Sequence, residues 1–174
     1  MTPGPASFRN GGATHVPAIA GAFAVLVGGV VLLGWIFDIA APDLRKMCAE
    51  VVLGNPEKYT AGFLGSSPQA YAQWIQQKDS WGGAIEIDLC TGVFQCEICV
   101  LDMTSKKPQM FGQGNNYTVR GFVVYTGNHY DGGGIGNSMA GNGQLQKKFS
   151  SRDERPLAVA DDYLMGRVKD AKKQ

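Results

Sequence analysis

A mixed α/β domain is the fold class that the sequence predicts, on three observations. Between Pro42 and Leu89 apolar residues recur at helical spacing. Between Gln95 and Thr126 β-branched and aromatic residues gather in short runs. Leu157, Ala160, Leu164, Val168 and Ala171 mark a closing amphipathic helix that ends in Lys172 and Lys173. At 174 residues one domain suffices, because a chain of that size buries roughly two thirds of its unfolded surface.

Taken in order, Met1 to Thr14 is rich in Gly, Pro, Ser and Thr with Arg9 as its one charge, and disorder is expected over residues 1–15. Pro42 opens a helix whose stripe is Leu44, Met47, Cys48, Val51 and Val52, closed by Gly54-Asn55-Pro56. Ser67 is a good cap for a second helix, with Pro68 at its first position and Tyr71, Trp74 and Ile75 on one face. After Trp81-Gly82-Gly83 a third helix runs from Ala84 to Cys90, with Ile85 and Leu89 four apart and Glu86 and Asp88 facing elsewhere. Strands are expected over Gln95 to Asp102, near Gln109 to Gly112, and over Arg120 to Thr126. Gly127-Asn128 is a tight turn, and Gly132 to Gly143 reads as a flexible glycine-rich loop. No strand-turn-helix surrounds that loop, so it does not fit a phosphate cradle.

Composition excludes several function classes. Sixteen Lys plus Arg against fifteen Asp plus Glu leave a net charge of +1, too little field to hold nucleic acid. The four cysteines, Cys48, Cys90, Cys96 and Cys99, are too sparse for a secreted disulfide framework and place the chain in the cytosol. Cys96-x-x-Cys99 lies in a strand pattern, where residues three apart point to opposite faces and cannot share one metal. A pair of core cysteines is expected, with no metal and no cofactor.

Val16 to Phe37 carries no charged residue, and about 20 apolar residues span a bilayer core. A helix buried in a water-soluble domain has the same composition, and glycines at 21, 28, 29 and 34 dilute the hydrophobicity. Membrane anchoring through this segment is therefore an alternative reading. Under it, Asn116-Tyr117-Thr118 is a glycosylation site only if the domain is lumenal.

One constellation carries chemistry. His129 follows a strand and a turn at once, with Asp131 two residues on. This is the layout of a general base and the carboxylate that fixes its tautomer. A lone histidine at a strand end is more often structural than catalytic, so the spacing alone leaves both roles open.

Four motifs go further: Tyr71-x-x-Trp74-Ile75, Asp79-x-Trp81-Gly82-Gly83-Ala84-Ile85-Glu86-Ile87, Phe94-Gln95-Cys96-Glu97-Ile98-Cys99-Val100-x-Asp102, and Tyr125-x-Gly127-x-His129-Tyr130-Asp131. From about Pro42 to Asp131 the chain resembles the ovarian-tumour (OTU) family of ubiquitin thioesterases, in the branch linked to endoplasmic-reticulum-associated degradation. The resemblance implies an α/β papain-like cysteine protease fold, a small central sheet sandwiched between helices, over residues 16–135. A glycine-rich loop and an amphipathic helix would then fill 136–174. It implies thiol-dependent hydrolysis of ubiquitin conjugates, with ubiquitin or ubiquitin chains as partner and a monomeric chain. His129 becomes the general base and Asp131 its orienting carboxylate, while Asn128 and Tyr130 become substrate-binding residues. Trp81, Gly82, Gly83 and Glu86 become a fold-defining signature in which glycine allows close backbone approach. The ubiquitin-like module that docks an unfoldase and the zinc finger of larger members have no counterpart here, so unfoldase binding is not carried over.

The chain departs from the family upstream. The family's nucleophile lies in a segment of the type Pro-x-Asp-Asn-Ser-Cys-Leu-Phe, whereas this chain reads Val16-Pro17-Ala18-Ile19-Ala20-Gly21-Ala22-Phe23. With Pro17 in register, Ala22 stands at the cysteine position and Ile19 at that of the aspartate. Cys48 and Cys90 belong to later helices. A methyl group cannot attack a carbonyl, so residues 16–38 make the chain either a catalytically dead relative that still binds ubiquitin or one whose catalytic segment is altered or misread.

Overall fold

The computed structural model describes residues 7–10, 36–136 and 145–167. They fall in two compact units, a helical one within 16–94 and a sheet one formed by 1–15 with 95–174. Ile19 to Ala22 and most of the apolar segment lie outside the described residues. Among the described residues no helix is long and apolar enough to cross a membrane.

In the helical unit, α1 is Ala41–Gly54, with Pro42 in its first turn and Leu44, Cys48 and Val52 buried as the stripe predicts. Arg45 is also buried, and its guanidinium donates to the carbonyls of Ile75 at 2.6 Å and Ser80 at 2.8 Å. Burial lowers its pKa, while nearby Glu86 opposes that shift. A short helix α2, Ala61–Leu64, was not expected and is capped by Thr60. Helix α3 is Pro68–Ile75, and the Ser67 hydroxyl accepts from the Ala70 amide at 3.2 Å as its cap. Helix α4, Ala84–Phe94, runs four residues further than expected. Phe94 stacks on Phe37 with ring centroids 3.8 Å apart, and the break comes at Gln95, whose φ is +49°.

In the sheet unit the strands are β1 Ser7–Asn10, β2 Cys96–Asp102, β3 Lys107–Phe111, β4 Val119–Tyr125, β5 Tyr130–Gly136, β6 Leu145–Gln146 and β7 Lys148–Ser150. Their order is β1-β5-β4-β2-β3, with β6 on β5 and β7 on β4. Only β2 and β4 pair in parallel among the described strands. Two expectations are corrected here. Ser7 to Asn10, placed in a disordered segment, forms β1, and the start of the glycine-rich stretch is a strand rather than a loop. Local propensity misses both because β5 is held from its two sides, by β4 at Gly132 and Gly133 and by β1 from Gly133 to Gly136. Backbone ladders on both edges offset what glycine lacks in side-chain contact.

The core of this unit is Cys99, Leu101, Phe122, Val124 and Phe149, closed by Ala160 and Leu164 of α5, Arg155–Leu164. Phe122 meets Phe149 edge to face at 5.5 Å. Glu97, partly buried, and Arg120, buried, face each other across β2 and β4 in register, with Arg120 Nη2 2.7 Å from Glu97 Oε2 and 2.8 Å from the Ser151 carbonyl. Residues of the Cys-x-x-Cys are core thiols, Cys96 1 % and Cys99 0 % exposed, and burial pushes each up to about 12. At pH 8 only about one thiol in 10⁴ is then ionised. Iodoacetamide is therefore expected to leave the peptide holding Cys96 and Cys99 unmodified in the native protein and to label it fully in denaturant, read by peptide mass. Labelling without denaturant refutes this.

Candidate active site

The turn carrying His129 is built by its neighbours. Strand β4 ends at Tyr125 and β5 begins at Tyr130, which pairs with it, so residues 126–129 make the connection. The Thr126 amide donates to the His129 carbonyl at 2.9 Å and its hydroxyl to the same oxygen at 3.2 Å. Gly127 sits at φ +105°, and a Cβ there would stand 2.9 Å from the Thr104 methyl carbon, so only glycine fits. The Tyr125 hydroxyl donates to the Gly127 carbonyl, and the rings of Tyr125 and Tyr130 lie 4.5 Å apart.

On this frame His129 and Asp131 meet: His129 Nε2 is 3.3 Å from Asp131 Oδ1, both side chains partly exposed. Asp131 pairs with Val124 within the sheet, so its carboxylate is anchored through β5, while His129 belongs to the turn before it. A carboxylate only accepts, so in the neutral ring the arrangement favours the proton on Nε2 and the lone pair on Nδ1. Nδ1 is then the atom available to take a proton from an incoming group. Asn128 is exposed at the turn's tip and Tyr130 half-buried beside it. The structure thus brings together His129 and Asp131, with Asn128 and Tyr130 on either side of the imidazole in sequence.

The signature around Trp81 lies in the helical unit. Glu86, expected to face away from its helix's packed face, is 3 % exposed. It accepts from the Tyr71 hydroxyl at Oε1 and from the Gly83 amide at Oε2, 2.5 Å away. Burial raises its pKa, with the Gly83 amide and the Arg45 charge acting against that rise. A Cβ on Gly83 would meet nothing within 4 Å. Close backbone approach is therefore not the reason for that glycine, whose amide instead holds Glu86. Trp81 is exposed at a cavity of about 370 Å³ that Trp74, Tyr71 and Glu86 also line.

Sequence reading named Asp102 only as a strand end and motif residue and gave it no role. Its Oδ1 accepts from the Thr104 amide at 2.8 Å and hydroxyl at 2.6 Å, and its Oδ2 from the Ser105 hydroxyl at 2.7 Å. Asp-x-Thr-Ser after a strand is an Asx-turn pattern, a signal that was legible. Those bonds, the Thr104 hydroxyl foremost, hold the Asp102 carboxyl well below the usual carboxylate range. A lowered folded pKa adds stability that is present above the unfolded value, near 3.9, and lost as pH falls below it. Asp102→Asn is expected to flatten the fall of melting temperature below about pH 4. An acid limb as steep as the parent's would count against these bonds.

None of the four cysteines offers an accessible thiol, each being 2 % exposed or less. Accessible thiolate character is what a cysteine nucleophile needs.

A family model, OTU-like cysteine protease, matches residues 38–130, a span that contains His129. The chain belongs to the OTU family. Ubiquitin thioesterase OTU1 of Homo sapiens is 36% identical to this OTU chain over 146 residues, 84% of the chain and 38% of the human protein. Its counterpart in Gallus gallus is 38% identical over 142 residues, 79% of the chain and 43% of the relative. The chain thus spans about two fifths of the length of these relatives. A solved OTU domain in complex with ubiquitin superposes with a TM-score of 0.72 at 23% identity, over 90% of this chain and 84% of that one. The fold is therefore the mixed α/β OTU fold, a central sheet with helices.

Proposed function

We propose that this chain is an OTU-family ubiquitin thioesterase domain that keeps the histidine side of the catalytic machinery and lacks its nucleophile. His129 is the general base, Asp131 orients it, and Asn128 and Tyr130 contact the bound ubiquitin tail. The observation that carries the reading is His129 Nε2 set 3.3 Å from Asp131 Oδ1, with His129 inside the family-matched span and Asp131 just past its end. Ubiquitin or a ubiquitin chain is the partner, as the curated relatives' name, ubiquitin thioesterase, supports, and the cytosol is the compartment. With Pro17 held in register Ala22 takes the nucleophile's place, and on that register the chain holds ubiquitin and does not cleave it. The test measures both properties on the full chain. Isotope-labelled ubiquitin should show saturable shifts at its carboxy-terminal residues, while a fluorogenic ubiquitin substrate should show no turnover. Absence of any ubiquitin shift at the highest accessible concentration defeats the reading.

A further inference from the structure

The turn that holds His129 lies beside the turn that follows Asp102, and Thr104 of that turn is outside the family motifs. Strands β2 and β4 run parallel and end side by side, Asp102 paired with Tyr125. The chain then leaves β2 through Met103, whose amide donates to the Tyr125 carbonyl at 2.8 Å. Asp102 closes this exit on itself by accepting from the amides and hydroxyls of Thr104 and Ser105.

Thr104 is the link between the two turns. Its amide and its hydroxyl bind the same oxygen, Asp102 Oδ1. Rotation about χ1 would break the hydroxyl bond, and a β-branched side chain has few other rotamers to use. The rotamer is therefore fixed and aims the methyl at Gly127, where it stands 2.9 Å from the position a Cβ would take. Gly127 lies two residues before His129, and its carbonyl is held by the Tyr125 hydroxyl.

From this we propose that Asp102 is a positioning residue for His129, acting through the Thr104 methyl wedged against Gly127. The wedge sets the height of the turn and so keeps Nε2 on the Asp131 carboxylate. The proposal rests on the reading of His129 as base, and adds to it the residues that hold that base in register.

Long-range proton–nitrogen spectra of the imidazoles test it on the chain as it is. Only His15 and His129 contribute, and His129→Gln assigns them. With the ring neutral, the parent should show His129 mainly as the Nε2–H tautomer. Thr104→Ser keeps the hydroxyl bond and removes the methyl. It is expected to lower the ratio of Nε2–H to Nδ1–H by about fivefold, the effect of weakening one hydrogen bond to a charged acceptor, with little change in melting temperature. Gly127→Ala should lower the ratio similarly, and adding Thr104→Ser to it should recover part of the loss, because the methyl and the new Cβ no longer meet. Gly127→Ala also strains a φ of +105°, so Thr104→Ser alone decides the matter if that variant fails to fold.

A Thr104→Ser ratio within twofold of the parent's would overturn the proposal. Failure of the base reading looks different. It appears as no turnover in a chain given a nucleophile, whatever the imidazole spectra show, whereas the spectra need no turnover at all.

Discussion

A chain carrying Ile19→Asp, Ala20→Asn, Gly21→Ser and Ala22→Cys is expected to hydrolyse a fluorogenic ubiquitin substrate that the parent leaves intact. The four changes rebuild the family's Asp-Asn-Ser-Cys segment with Pro17 in register. They supply the one missing atom type, a sulfur lone pair. On the proposed role of His129 as base, its Nδ1 is expected to take the thiol proton, since Nε2 faces Asp131. The thiolate then bonds to the ubiquitin carbonyl carbon, the leaving group departs with the proton, and water later frees the acyl group. Adding His129→Ala to the restored chain is expected to lower kcat/KM by about 10²–10⁴, the usual worth of a positioned base. Clear hydrolysis by the parent, lost on His129→Ala, would refute the account. So would covalent capture of a ubiquitin-based electrophile by Cys48, Cys90, Cys96 or Cys99, all of which are buried.

Elements whose signals are local were legible in the sequence. Pro42 and Ser67-Pro68 announce α1 and α3 because caps and first-turn prolines act within a few residues. The β-formers of β2 and β4 announce those strands to within one residue of each end. Strand β5 was not legible, since its glycines carry no strand signal and one of its two ladders is to β1, far along the chain. Glu86 was misread because helical periodicity sorts apolar from polar positions, and its burial depends on Tyr71 and the Gly83 amide rather than on period. The pairing of His129 with Asp131 was legible from spacing, and the support beneath it was not. Thr104 and Gly127 are 23 positions apart, and only the parallel register of β2 and β4 brings them together.

Arg120→Ala is expected to be the most destabilising single change in the sheet unit, costing about 3–5 kcal/mol. For a chain of this length that is a fall in melting temperature of roughly 10 °C. Arg120 is 4 % exposed. Its Nε and Nη2 both donate to Glu97 Oε2, at 2.9 and 2.7 Å, and Nη2 also serves the Ser151 carbonyl. Truncation leaves the largely buried Glu97 carboxylate, its side chain 13 % exposed, without its countercharge and the Ser151 carbonyl without this donor. Those penalties exceed the modest net worth of the pair itself. Nη1 has no hydrogen-bond partner among the described residues, so even the intact pair bears a desolvation cost. Replacing both partners together should therefore behave differently from replacing one. Glu97→Met with Arg120→Leu is expected to recover most of the stability that Arg120→Ala loses, because no charge is then left buried. Arg120→Lys should fall between, keeping the charge and losing the fork that reaches Glu97 and Ser151 at once. Thermal melts of the four proteins decide it, and a double variant less stable than Arg120→Ala would mean that the pair's attraction outweighs the cost of burying it.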